Sequence, residues 1–360
     1  MSVLFSALGL LVLVIRLSPA IFMRLADGAS AKTDSVENDA RVSVIIPARN
    51  EEANLQKILN SLLRLPFFEI IVVDDSSTDR TQEIAQSFAA RENRIRVHAG
   101  APKPQGWTGK NWACQQGALT STGNYLLFTD ADTEHCEGSL SRTLQLNADL
   151  VSALPFHQSA NFFERLLGPF HLLVFISSSA FSRPKTGSLF AIGQYLLFKR
   201  EWYFQQGMHE AIKQSFADDL DLAERCVAQG GVYKVETSGR VFKVRMYLSL
   251  VDFLAGWRRI FRVGFGHASF VRVFEIFFVI ACLTESFKFA RATPIETLFA
   301  LSGLLVLGLA QKRYGNFSWL GALLAPLGIG IFVFVSATAL WDRILRRDLR
   351  WRGRSYKLSS

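Results

Sequence analysis

Three acidic clusters in this chain could do chemistry: Asp74-Asp75, Asp130-Ala131-Asp132 and Asp218-Asp219, the last followed closely by Asp221. Two carboxylates two residues apart at a strand end repel one another unless a cation is shared. Few, hard oxygen ligands that leave room for phosphate oxygens suit Mg2+ or Mn2+. Asp132 and Asp130 are therefore candidate metal ligands. A metal there could neutralise a diphosphate and improve it as a leaving group. Such a triplet occurs often by chance, and its place after a buried strand and a second acidic strand end gives it weight. Asp218 and Asp219 open a helical pattern, so they could simply suit the helix dipole. An ionised carboxylate within reach of a hydroxyl could equally act as a general base. Asp218 and Asp221 would raise the pKa of Asp219 and make it a better base. Asp74 alone could as well cap the next helix.

Between the first two clusters lies Pro104-Gln105-Gly106-Trp107-Thr108-Gly109-Lys110-Asn111, a flexible cationic loop running into a helix. A helix N-terminus with Lys110 can hold phosphate oxygens. It is not a Walker A loop, because Asn111 stands where Ser or Thr is required. The bland reading is a surface turn with a solvated lysine. Trp107 could stack on a ligand or anchor the loop. His209, shortly before Asp219, could reach the same cleft, although a lone histidine is more often a structural hydrogen-bonder. Gly193-Gln194, after an apolar run, could line the cleft. Trp257, Arg258, Arg259 and Arg262 could meet a diphosphate or a lipid headgroup, or serve as surface anchors.

These residues need a frame. Val42–Ile46 reads as a buried strand that Pro47 ends, followed by a helix over Glu51–Leu65. Glu69–Val73 gives a second strand, Thr81–Ala90 a helix capped from Ser76–Asp79, and Tyr125–Phe128 a third strand. Strand and helix alternating at this spacing predict a parallel sheet with right-handed crossovers. Ligands in such sheets bind beyond the carboxyl ends of the strands, where Asp74, Asp75, Asp130 and Asp132 fall.

The chain is also oily, with 49% apolar residues against 20% charged. The surplus sits at the N-terminus and in the last third. Val3–Met23 reads as a retained anchor with its N-terminus outside, since the basic residues follow the apolar run. Ile295–Gln311 and Phe317–Trp341 are each long enough to cross hydrocarbon. Val273–Ala290 carries Glu275, Glu285 and Lys288 and reads as interfacial or re-entrant, which keeps the C-terminal crossings even. Phe162–Phe181 could lie on a bilayer or pack in a core. The net charge of +9 includes the tail arginines Arg343, Arg346, Arg347, Arg350, Arg352 and Arg354, which follow a hydrophobic run. That placement suits anionic headgroups and excludes nucleic acid as the expected partner. Four scattered cysteines without a CxxC pair fit a reducing compartment.

The segments VSVIIPARNEE, IIVVDDSSTD and LLFTDADT, in this order, resemble family 2 glycosyltransferases of the GT-A fold over about Arg41 to Arg262. PQGWTGKNWACQQGA, IGQYLLFKREWYFQQGMHEAIKQSFADDLDLA and the WRGRSYKL tail are similar to a membrane-bound branch associated with carotenoid and hopanoid glycosylation. The resemblance implies an α/β GT-A-like domain at 41–262 with a mostly parallel central sheet. A membrane anchor at 1–24, interfacial and transmembrane helices at 263–342 and a basic cytosolic tail at 343–360 complete the expected layout. It implies inverting, metal-dependent transfer from a UDP- or GDP-linked sugar to a lipid-like terpenoid, at the cytoplasmic side of the cell membrane. Polyprenyl phosphate as acceptor, or a non-catalytic nucleotide-binding membrane protein, are the rival readings.

The candidate donor-binding residues are Pro47, Arg49, Glu51, Asp74, Asp75, Lys110, Asp130, Gly193 and Gln194, of which the resemblance gives roles to Asp74, Asp75 and Asp130. Asp75 would meet the base, and Asp74 would support the strand end. Asp132 would be the main metal ligand, with Asp130 near the ribose or metal. Asp219 would be the catalytic base, with Asp218 beside it where relatives often carry Glu. Arg49 stands where some relatives place an aromatic ring. Gly256-Trp257-Arg258-Arg259 replaces the QxxRW motif of processive members, which argues against a polymerase. Trp107, His209, Trp257, Arg258 and Arg259 remain candidates for acceptor or diphosphate contact.

Overall fold

The computed structural model describes residues 2–26, 40–181, 184–186, 189–264, 270–285, 293–347, 349–351 and 354–356. Contacts divide the chain into two units, one of Phe22–Gln158 with Ser182–Arg245, the other of Met1–Ile21, Ser159–Phe181 and Met246–Ser360.

The first unit is built on a seven-stranded sheet. Its strands are β1 (Val42–Ala48), β2 (Glu69–Asp74), β3 (Ile95–Ala99), β4 (Tyr125–Phe128), β6 (Leu150–Ala153), β8 (Leu196–Lys199) and β9 (Tyr233–Glu236). A small second sheet joins β5 (Thr133–His135), β7 (Phe156–His157) and β10 (Phe242–Val244). The large sheet runs in the order β3-β2-β1-β4-β8-β6-β9, with only β8 antiparallel to its neighbours. This is the mixed but mostly parallel α/β sheet expected of a GT-A-like domain. The β-branched runs that flag β1 and β2 are buried on both faces, as parallel strands covered by helices must be.

Several boundaries move. Pro47 does not end β1 but lies inside it, paired with Val73. The first helix begins at Leu55 rather than Glu51, because residues 52–54 form turns. Tyr125–Phe128 is the fourth strand, not the third. The missed one, β3, puts Arg96 and His98 between its apolar residues and so lacks an apolar run. The helix Gly109–Thr120 packs on β1 so closely that a Cβ on Gly117 would come within 2.4 Å of the Ile45 side chain. That approach fixes where the helix start points.

The second unit is helical: Ser2–Ala26, Phe162–Leu166, Gly168–Ser177, Leu250–Gly264, Phe270–Glu285, Pro294–Tyr314, Trp319–Leu323 and Ala325–Ile344. Phe162–Phe181 therefore groups with the terminal helices. Pro294–Tyr314 and Ala325–Ile344 are long and apolar enough to cross a membrane. The expected span Phe317–Trp341 is split, because Pro326 opens a new helix behind Leu324. Gly328 allows close packing, since a Cβ there would lie 3.0 Å from Pro169 Cβ. Leu349–Trp351 and Arg354–Tyr356 pair as a short antiparallel ribbon. Of the residues expected in the terminal segments, Lys288, Ala290, Arg352 and Lys357 lie outside those described.

Candidate active site

The carboxyl ends of β2, β1 and β4 lie side by side, so Asp75 and Asp130 flank β1 at two strand spacings, about 10 Å. Asp75 N donates to Ala48 O at 2.8 Å, and Arg49 Nη1 donates to Asp75 O at 2.6 Å while standing 3.5 Å from its Oδ2. The guanidinium thus borders the Asp75 carboxylate. Asp74 points the other way in role: both of its oxygens accept from Ser77 N at 3.4 Å, holding the turn after β2. Asn50 and Ser76, both with positive φ, open the turns after β1 and β2. Those turns are laced by Thr78 N to Asn50 Oδ1 (2.8 Å) and Glu51 N to Thr81 Oγ1 (2.7 Å). Non-glycine residues in this region cost energy and persist where surrounding bonds hold them.

The second half of the site comes from β4, the Gly109–Thr120 helix and the Asp218–Ala228 helix. Lys110 Nζ lies 3.0 Å from Asp130 Oδ1 and 3.2 Å from Asp218 Oδ2, so one cation joins two clusters far apart in sequence. Asn111 explains how. Its buried side chain donates to Ile212 O (2.9 Å) and Ser215 O (3.1 Å), and Thr108 N donates to Lys213 O (2.7 Å). The loop carrying Lys110 is thereby stitched to the segment that delivers Asp218 and Asp219. The residue that spoils a Walker motif builds this junction instead.

Asp219 is held at both oxygens, Oδ2 accepting from Gly193 N (2.9 Å) and Oδ1 from Leu220 N (2.8 Å). A Cβ on Gly193 would sit 2.8 Å from Lys110 Nζ and 3.7 Å from Asp218 Oδ2, so glycine there leaves room for the lysine. Gln194 Nε2 stands 3.3 Å from Asp132 Oδ1, and its buried Oε1 has no hydrogen-bond partner among the described residues. Beneath the triplet, Thr129 Oγ1 donates to Gln194 O (2.8 Å) and lies 3.0 Å from both Thr133 Oγ1 and His135 Nε2. Thr133 Oγ1 in turn donates to Asp130 O at 2.9 Å. Thr129, Thr133 and His135 were given no role from sequence, and Asn111 was noted only as the residue that breaks the Walker pattern. Hydroxyls next to an acidic triplet were the one available signal.

Charge in this cleft is unresolved. Burial, then Asp130 and Glu51, push the Asp132 carboxyl up to about 7. Burial, then Asp218, push Asp219 up to about 7. Burial opposes the charge on Lys110, but Asp130 and Asp218 outweigh it and hold the ammonium protonated well above its usual range. A site in which two carboxylates hover near neutrality beside one lysine can take up a cation, hold an anion through that lysine, or move a proton.

Other expected residues fall elsewhere. His209 has no exposed surface; its Nδ1 meets Tyr203 Oη at 2.9 Å and its ring packs 4.6 Å from Phe128. Burial drops it to about 4, which keeps the ring neutral in the core, within electrostatic reach of Asp218 and Lys110. Trp107 packs edge-on to Trp112, with ring centroids 5.1 Å apart. Trp257, Arg258 and Arg259 belong to the helical unit. There Trp257 is buried among Phe170, His171, Phe253 and Phe261, and Arg258 holds Asp342.

Comparison with known proteins adds to this geometry. The model of glycosyl transferase family 2 matches residues 43–204. A 4,4'-diaponeurosporenoate glycosyltransferase of Staphylococcus haemolyticus is 28% identical over 343 residues, covering 89% of this chain and 90% of that protein. The protein of the same name in Staphylococcus aureus is 27% identical over 344 residues, with the same coverage. Among solved structures, a mannosyltransferase from Pyrobaculum calidifontis in complex with GDP-Man and Mn2+ aligns over 95% of this chain and 99% of its own. Its TM-score is 0.53 at 15% identity, a likeness of fold.

Proposed function

We propose that the chain, whose residues 43–204 match the model of glycosyl transferase family 2, is a member of that family that transfers a sugar, with inversion, from a nucleoside diphosphate to a hydrophobic, terpenoid-like acceptor at a membrane. The observation that carries this reading is the bridge from Asp130 through Lys110 to Asp218, with Asp219 fixed alongside by Gly193. It joins a donor-side acid cluster to an acid pair placed for proton transfer. Asp75 and Arg49 recognise the nucleotide at the β2 end, with Pro47 and Glu51 shaping the β1 end, Asp74 supporting the turn and Lys110 taking diphosphate oxygens. The carotenoid acceptor in the names of the relatives supports a polyene or other terpenoid here.

The residues present fit a divalent cation. Asp132 is driven toward protonation by burial beside Asp130 and Glu51, and the orphaned Gln194 Oε1 adds a hard oxygen. Among the described residues no group of three His, Cys, Asp or Glu side chains could hold a metal. The donor's phosphates would therefore have to complete the shell of an ion held here. Asp132 and Asp130 would hold Mg2+ or Mn2+, which would supply Lewis acidity toward the departing diphosphate.

Asp219 accepts the proton of the acceptor hydroxyl as the oxygen attacks the anomeric carbon. A carboxyl near 7 is matched to that task at neutral pH. Lys110, released from its carboxylates by the incoming donor, balances charge on the diphosphate. The base role has a sharp consequence: removing Asp219 costs a hydroxyl acceptor far more than an acceptor already ionised, such as a carboxylic acid or a phosphate.

The helices Pro294–Tyr314 and Ala325–Ile344, with the Ser2–Ala26 helix, would hold the enzyme in the cell membrane with its α/β unit toward the cytoplasm. The test is comparative lipid extraction from cells with and without the gene, followed by transfer from UDP- and GDP-sugars by purified protein with and without chelator. A lost glycosylated terpenoid and chelator-sensitive transfer are expected. Unchanged lipids with a lost cell-wall polymer would move the reading to a polyprenyl phosphate acceptor.

A further inference from the structure

In the helical unit, two helices run alongside each other with matching stripes. On Leu250–Gly264, the residues Leu250, Leu254, Arg258 and Arg262 recur every four positions. On Ala325–Ile344, Pro326, Gly330, Phe334, Thr338 and Asp342 do the same. Residues four apart are neighbours on a helix, and because each step of four advances about 40° the row winds around it, from the open Gly330 and Phe334 to the buried Asp342. The early members of both stripes, with Leu327 and Ile331, line a shallow, open apolar trough with a cavity volume of about 270 Å³. No atom lies within 4 Å of where a Cβ on Gly330 would stand, so its floor is open.

Further along, the stripes turn charged. Arg258 Nε and Nη2 hold the two Asp342 oxygens at 2.5 and 2.7 Å, and Arg347 Nη1 reaches Oδ1 at 3.1 Å. Arg262 adds its charge to the same carboxylate. Two arginines bonded to one carboxylate, with the charge of a third nearby, leave a net positive clasp. Trp341 and Ile344 beside it are exposed, as are Arg343 and Arg346. An exposed tryptophan next to arginines marks the headgroup level of a bilayer.

Length settles which amphiphile fits. From Gly330 to Asp342 the helix rises about 18 Å at 1.5 Å per residue. One leaflet of hydrocarbon is about 15 Å deep, half of a core roughly 30 Å thick. We propose that this stripe is a binding site for one anionic phospholipid, an acyl chain in the trough and the phosphate on Arg258 and Arg347. Free phosphate would not need the trough, and a zwitterionic lipid would not need the clasp. The site stands apart from which sugar or acceptor the enzyme uses.

The experiment counts lipids held by the full-length protein in native mass spectra, after delipidation and exposure to phosphatidylglycerol or phosphatidylcholine. The wild type should keep one phosphatidylglycerol per chain in preference to phosphatidylcholine. Gly330→Leu, whose Cβ meets no atom within 4 Å, puts a side chain into the trough and should lower that occupancy about tenfold, for the methylenes it displaces. Arg347→Gln should reduce the preference for the anionic lipid about threefold. Leu305→Phe, on the exposed face of Pro294–Tyr314, is the control and should change nothing. Equal retention of both lipids overturns the proposal. So does a Gly330→Leu protein that matches wild type, or a Leu305→Phe protein that loses lipid as readily as Gly330→Leu.

Discussion

The two units of this chain treat buried charge in opposite ways. In the α/β unit Asp132 and Asp219 sit near carboxylates of their own sign, with one lysine serving Asp130 and Asp218. Both are lifted to about 7, and that charge is unsettled. In the helical unit the Glu275 charge is matched where it lies, taking Arg16 (2.5 Å) and Arg272 (2.6 Å). Polar Ser6 and Gln311 face inward there, while Leu4, Ile15, Phe274 and Leu298 face out. Settled charge is structure; unsettled charge is a site awaiting a ligand.

Breaking a settled pair should cost stability. Glu275→Gln leaves two partly buried arginines without their carboxylate and should lower unfolding free energy in detergent by about 3 kcal/mol. An unchanged melting curve would mean that the triad is solvated and the contrast false. Disturbing the unsettled cluster should cost function instead. Lys110→Met removes the shared cation and should weaken nucleotide-sugar binding about thirtyfold, read by calorimetry, the scale of one charge-assisted bond to phosphate. Gly193→Ala pushes its Cβ against a flexible lysine tip, so turnover should fall about tenfold with the fold intact by circular dichroism. The mildest handle is pH. Because Asp219 is raised to about 7, it is protonated and useless as a base below that value and ionised above it. The turnover of a hydroxyl acceptor should therefore climb through neutrality and level off. A flat profile from pH 5.5 to 8 would remove the unsettled carboxylate from the rate.

Much of the sheet could be read from residue type, because β1, β2 and β4 are apolar runs that only a sheet covered on both faces accommodates. The acid clusters were equally visible, since carboxylates at strand ends are a pattern of local sequence. What could not be read was adjacency. Asp130 and Asp218 meet because β8 inserts antiparallel next to β4 and because Asn111 binds the 212–215 segment, and both are tertiary facts. His209 follows the commoner expectation for a lone histidine: its ring turns into the core, bonds Tyr203 and packs against Phe128. Phe162–Phe181 held too little pattern to choose between bilayer and core.

The most direct test is to measure kcat for a hydroxylated acceptor and Kd for the nucleotide sugar in the wild type, Asp219→Asn and Asp132→Asn. Asp219→Asn should lose about a thousandfold in kcat, within the usual range for a general base, while binding donor as tightly as wild type. Asp132→Asn should lose donor affinity in the presence of Mn2+. An Asp219→Asn enzyme that turns over a hydroxyl acceptor at the wild-type rate would contradict the account.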